Sequence, residues 1–404
     1  MMVYGKLLYT VGSILIAAAA TVRSFNFMIV GRIIAALGHI STEIAGFKMF
    51  SSWFPPSQGF ASTLGFEGAA SALGGFVGKA TANVIAESRG FGWSFWVAVF
   101  VNIFGNIATI IFWLLNRYRL RHYQDPEDSA TGENLQKARF KFQKIFQLPW
   151  MFWSVMGISL WISSLATVFS QNATELAEKR FNVDTVTAGW YSAASQYGGL
   201  VIMPFLGMFL DVCGNRATVL LISASSLLVS MLLLNFAVSI PGTIVTFVIY
   251  ALVKAIAPTA VVDSFRTTLW EESIFGSALS LKETMNATVN IIVRMITGAI
   301  QDADNDSYVG VVKVYLVMAF CAMAFGMSIF LGALVSPSLA PLQWTRRQRL
   351  SKGPGHLALL RENHLVLHIG RTRWTTIVCC GVLGILTLAS WAIYIWGAIT
   401  GNSV

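Results

Sequence analysis

The sequence predicts an all-α fold, a polytopic bundle of membrane-spanning helices, and three observations predict it. Of 404 residues, 55% are hydrophobic and only 12% charged, too apolar and too sparsely charged for one soluble domain of this length. Eleven apolar runs recur along the chain, each close to the ~20 residues that cover ~30 Å of hydrocarbon at ~1.5 Å per residue. Half of the 28 Lys and Arg residues are confined to two segments, 116–148 and 337–373, as expected if basic residues stay on the cytosolic side.

The runs lie near 4–22, 27–53, 58–84, 93–116, 149–171, 185–210, 217–237, 243–264, 273–301, 308–336 and 374–398. They are too long and continuous for the alternating ten-residue strands of a barrel. A short RSFN turn separates the first two, and Pro241-Gly242 precedes the eighth. The charged linker, containing DPEDSATGEN, leaves four runs before it and six after, with the last run set apart by the basic tail. The expected organisation is an incomplete N-terminal bundle over 1–116, a cytosolic linker over 117–148, and a C-terminal bundle over 149–336. A basic cytosolic tail over 337–373 and an extra transmembrane helix over 374–398 follow.

With linker and tail in the cytosol, the opposite loops hold only Arg23, Arg89, Lys179 and Arg180, beside the acidic Asp302, Asp304 and Asp306. The sequons at Asn172 and Asn305 then fall in lumenal or extracellular loops and are candidate glycosylation sites. The net charge of +9 is explained by this sidedness and does not point to nucleic acid. Four cysteines without metal-ligand spacing give no disulfide framework.

The second block contains GMFLDVCGNR at 207–216, between two apolar runs. If Gly5-Lys6 corresponds to Gly214-Asn215-Arg216, both blocks repeat the same order of helices and turns. Gly207, Asp211, Gly214 and Arg216 match G-x-x-x-D-x-x-G-x-R, and Gly31-Arg32 with Gly38 resembles a second motif. On these residues the chain resembles the major facilitator superfamily. The resemblance implies a fold of two six-helix halves, here lacking its first two helices. It also implies that the Asp211/Arg216 pair latches one conformation by charge pairing and helix-end contacts. Arg32 is assigned to the cavity or its support.

GRIIAALGHISTEIAGFKMFSSWF, AIAPTAVVDSF and GSALSLKETMNATVNIIVRMITGAIQD look most like the lysosomal dipeptide transporter branch. That likeness implies a lysosomal or vacuolar membrane, with the plasma membrane as the alternative. It also implies an accessory membrane glycoprotein or a homodimer as partner. The branch carries a Glu and an Arg for the dipeptide termini where this chain has Ile40 and about Ala72.

A charged side chain at the bilayer centre costs roughly 2.5–3.5 kcal/mol on insertion scales, so each one faces protein or water and marks function. Glu43 lies midway along its run, one turn from His39, and Glu67 reaches a similar depth on the next. In the second block Lys254 is midway along its run, and Glu283 lies on the following one with Lys282 and Arg294. Glu43, Glu67, Lys254 and Glu283 are therefore expected to line a polar cavity, an acid attracting an amine and Lys254 a carboxylate. His39 would respond to an acidic lumen. The competing expectation is that Lys254 and Glu283 pair with each other.

No cofactor or metal is expected. His364 and His368 lack further ligands, and Gly78-Lys79-Ala80 lacks the spacing of a phosphate loop. No nucleophile is accompanied by an ordered base, so an enzyme is not expected. The sequence therefore points to alternating-access transport of a small polar solute, amino acids or dipeptides being candidates. The alternative is an inactive fragment or a non-transporting receptor or scaffold.

Overall fold

A computed structural model describes residues 2–55, 58–122, 148–181, 183–236, 240–269, 272–304, 308–352, 355 and 369–400. Eleven long helices lie among them: α1 Met2–Val22, α2 Phe25–Trp53, α3 Phe60–Arg89, α4 Phe91–His122, α5 Trp150–Phe181, α6 Thr185–Cys213, α7 Arg216–Phe236, α8 Ile240–Thr268, α9 Glu272–Ala303, α10 Val309–Val335 and α11 Ile369–Thr400. A 3-10 turn, Ala340–Leu342, follows α10. Each helix coincides with one of the eleven apolar runs. Nine are long and apolar enough to cross a membrane. The others, α3 and α9, are diluted by small and polar residues, α3 by Gly, Ala, Ser and Thr, and α9 by Lys282, Glu283, Asn286, Asn290 and Arg294. The protein is a multi-pass integral membrane protein.

The helices outrun the apolar stretches, and this changes one expectation. The run ending at 171 continues as helix to Phe181, so Asn172 is not in a loop. Its side-chain nitrogen, the atom a glycan would occupy, donates to the Tyr315 hydroxyl at 3.0 Å. Backbone bonding extends the helix past the first polar residue because the polar side chains find partners on neighbouring helices. Asn305, His364, His368 and most of the 117–148 linker lie outside the described residues.

The chain divides into two compact units, Met1–Met49 with Thr81–Gln143, and Phe50–Ala80 with Lys144–Val404. The boundary falls inside α2 and α3.

In the first unit, α1 packs against α2 and α4. A Cβ on Gly12 would lie 2.3 Å from Ala35 N, and one on Gly38 2.3 Å from Tyr9 N. This backbone approach is how helices associate where lipid removes the hydrophobic drive. Polar side chains join α4 to α1: Asn106 donates to Thr10 at 2.6 Å, Asn102 to Ser13 at 2.9 Å, and Trp96 to Thr21 at 3.1 Å.

In the second unit, α5 is central and touches α6 through α11. Its Phe169 packs against Phe247, Tyr250 and Tyr315, and Phe152 against Phe265. The terminal α11 lies on α5 and α9. Trp153 donates to Thr376, which donates to the Leu148 carbonyl, and Thr288 bonds Thr387. The N-cap of α6 is Asp184, whose carboxylate accepts from the Thr187 hydroxyl at 2.6 Å and the Thr187 amide at 3.0 Å. Those bonds, the hydroxyl's first, hold Asp184 below the usual carboxylate range.

Candidate functional site

Both features of the site lie in the second unit, and the first is built on GMFLDVCGNR. Helix α6 ends at Gly214, with φ 70°, and Asn215 follows at φ 49°. This left-handed corner favours Gly. Space demands it too, since a Cβ on Gly214 would lie 1.9 Å from the Trp344 carbonyl oxygen.

Two to three turns back, α6 is crossed by the start of α3. A Cβ on Gly207 would lie 2.4 Å from Ala61 O, and one on Gly65 2.3 Å from Met203 O. The contact continues outward as Gly68 on Met203 and Ala72 on Gly199. The crossing brings the first turn of α3 to Asp211, buried at 5% exposure. Asp211 accepts from Ala61 N at 3.3 Å, Ser62 N at 2.8 Å and Ser62 Oγ at 2.6 Å. First-turn amides have no acceptor in their own helix, so a carboxylate from a neighbour satisfies them and complements the helix dipole.

Arg216 is fully buried and pairs through Nε with Asp263, also fully buried, on α8. Arg266, one turn on, donates to Ser51 at 2.7 Å. Arg349 enters from the segment after α10, donating to Thr267 Oγ1 at 3.3 Å and Pro341 O at 3.2 Å. Burial, then the nearby Arg216 guanidinium, lowers the Arg349 pKa to about 9, with Asp263 acting in the opposite direction. Gln343 and Thr218 bond each other from the same segment to α7. The motif residues thus do four separate jobs: close approach, helix capping, a turn and a buried ion pair.

The second feature is a pair of lysines on one serine. Lys79 on α3 donates to Ser170 O at 2.8 Å and Ser170 Oγ at 3.3 Å. Lys254 on α8 donates to the same Oγ at 2.9 Å. Ser170 is 8% exposed, and both lysines are half-buried.

The expected cavity residues are placed as follows. Lys254 does not pair with Glu283, whose partner is its chain neighbour Lys282. Successive helical residues point in different directions, but a long Lys stem reaches back. Glu43 and His39 do share a face of α2, His39 Nδ1 lying 3.7 Å from Glu43 Oε2. Glu67 and Arg32 are exposed. Glu43 and Arg32 belong to the first unit, and Glu67, Lys254 and Glu283 to the second.

Sequence reasoning missed Asp263, Ser170 and Lys79. Lys79 carries a usable signal, an ionisable residue within an apolar run, which its resemblance to a phosphate-loop lysine obscures. Asp263 carried a weaker signal, an acid at the very end of a run, where a charge at the membrane boundary is ordinary. Ser170 carried none, since one serine among many is not distinguishable without its partners.

Residues 1–177 match the family model described as Major Facilitator Superfamily. The crystal structure of a major facilitator superfamily transporter, FucP, in the outward conformation has a TM-score of 0.52 and 16% identity, covering 81% of this chain and 82% of that one. The E. coli fucose:proton symporter FucP, in a single-substitution variant, has a TM-score of 0.51 and 15% identity over the same shares. At these identities the likeness is one of fold. No curated protein sequence matches the chain.

Proposed function

The chain has the fold of the Major Facilitator Superfamily, and from that premise we propose that it carries a small polar solute across a membrane by alternating access. The observation that supports this most is the contact between α3 and Asp211. Close backbone packing holds helices together in a bilayer, and what can be exchanged is the polar bonding laid over it. Here the crossing helices meet backbone to backbone, and the bonds are those of a carboxylate to amides at a helix end. Water can replace a carboxylate at exposed amides, so this contact can break and re-form with modest net cost, as a rocking carrier requires.

The buried Arg216–Asp263 pair plays the complementary part. With both side chains at zero exposure, it keeps α7 and α8 together while the α3 contact opens. Charged residues at the cores of α3 and α8 then meet the solute, as in transporters whose sites form near the bilayer midplane. Amino acids and dipeptides remain candidate solutes through the branch resemblance, and a lysosomal or vacuolar membrane is the compartment it implies.

The test is uptake by proteoliposomes of a solute panel spanning amino acids, dipeptides, sugars and organic acids, with and without a pH gradient. Saturable uptake that falls in Asp211→Asn supports the proposal. A monodisperse, folded protein that moves no panel member would instead favour a receptor or scaffold.

A further inference from the structure

We propose that Lys79, Lys254 and Ser170 form a binding site for an oxyanionic group, a carboxylate or phosphate, on the transported solute. This rests on the carrier reading above and narrows its substrate class. Three helices supply the site. Lys79 lies two thirds along α3, Ser170 two thirds along α5, and Lys254 midway along α8. None is near a helix end, where a lysine could reach the water outside the bilayer.

A serine oxygen accepts through two lone pairs, and both are taken by the two ammonium groups. Each ammonium carries three N–H donors. Lys79 uses two on Ser170, and Lys254 uses one. Three donors therefore remain, held within two hydrogen-bond lengths of one oxygen.

The charges at the site are unbalanced as well. Among the described residues, neither lysine makes an ion pair with a carboxylate. Lys282, by contrast, is neutralised by Glu283. Buried charges are ordinarily paired, and two like charges sharing a hydroxyl repel. An oxyanion bridging both nitrogens would supply the missing charge and the missing acceptors together. Neutral sugars supply acceptors without charge, and cations supply neither.

The experiment measures binding by thermal shift and calorimetry on the full chain in nanodiscs. The probes are inorganic phosphate, succinate, lactate and glycylalanine, with L-fucose as the neutral comparison and choline as the cationic one. At least one oxyanion should bind saturably while fucose and choline do not. Lys79→Gln and Lys254→Gln should each weaken that binding roughly tenfold or more. Lys79→Arg should retain most of it, and the exposed Lys313→Gln all of it. Nanodiscs of phosphatidylcholine alone and with phosphatidylglycerol separate a soluble anion from a net-anionic lipid headgroup, since such a headgroup would compete with the probes only in the latter.

Binding of fucose or choline that is indifferent to both lysines would overturn the inference, as would no oxyanion binding by folded protein. Uptake of a neutral solute that survives both substitutions would overturn this inference and leave the carrier reading standing. Lysine-dependent oxyanion binding without any flux would leave the binding site standing but overturn the carrier reading and, with it, the assignment of the anion to a transported solute.

Discussion

Gly207→Ala should open the contact between α3 and α6 while leaving both helices intact. The added methyl would lie 2.4 Å from Ala61 O and 2.8 Å from Ser62 Cα. An ordinary C–H···O contact is about 3.3 Å or more, so the two backbones must part by about 1 Å. Neither neighbour is a side chain that can swing away, and overpacking of this kind costs about 1–3 kcal/mol. Parting the helices draws Asp211 from the Ala61 and Ser62 amides, which have no acceptor within α3. Hydrogen exchange of a peptide covering these two amides should therefore quicken by about 5- to 150-fold. Gly46→Ala, where nothing lies within 4 Å of the new methyl, should leave exchange unchanged. Equal protection of the amides in Gly207→Ala and the parent would refute the reasoning.

Two further predictions concern fixed charges. Arg216→Ala and Asp263→Ala should each cost about 3–5 kcal/mol of stability, since each leaves its partner buried and uncompensated. Arg216→Ala with Asp263→Ala should cost much less than the two single changes together, and an additive double variant in thermal unfolding would disprove the coupling. Asp184 has a folded pKa below its unfolded value, so its contribution is present above the ordinary carboxylate pKa and is lost only as pH falls through the lowered one. Amide protection at Thr187, corrected for intrinsic exchange, should thus be the same at pH 7 and pH 5 but fall in Asp184→Ala at both. Loss of protection already at pH 5 in the parent would contradict this assignment.

Much of the fold was legible because a bilayer imposes one strong rule: backbone groups must bond within the segment and apolar side chains must cover them. All eleven runs became helices for that reason. Their ends were less legible, as at Asn172, because polar side chains continue a helix when partners wait on another element. The motif was legible as a pattern, but its meaning lay in contacts far along the chain. Asp211 serves amides about 150 residues away, and nothing in GMFLDVCGNR indicates which helix it caps. The candidate cavity was legible as a set of deep charges rather than as pairs. Depth along a helix can be counted from sequence, but azimuth relative to unknown neighbours cannot. Thus Glu43 and His39, four apart on one helix, met as expected, whereas Lys254 turned to Ser170 and Glu283 to Lys282.

Solute movement itself tests the central claim most directly. Purified protein in proteoliposomes preloaded with unlabelled solute should accumulate the labelled form transiently, because a carrier exchanges one molecule for another through a single site. Such counterflow, saturating with concentration and slowed in Asp211→Asn, is the predicted result. Entry that rises linearly with concentration, or no entry beyond that of empty liposomes for every solute tried, would contradict the account.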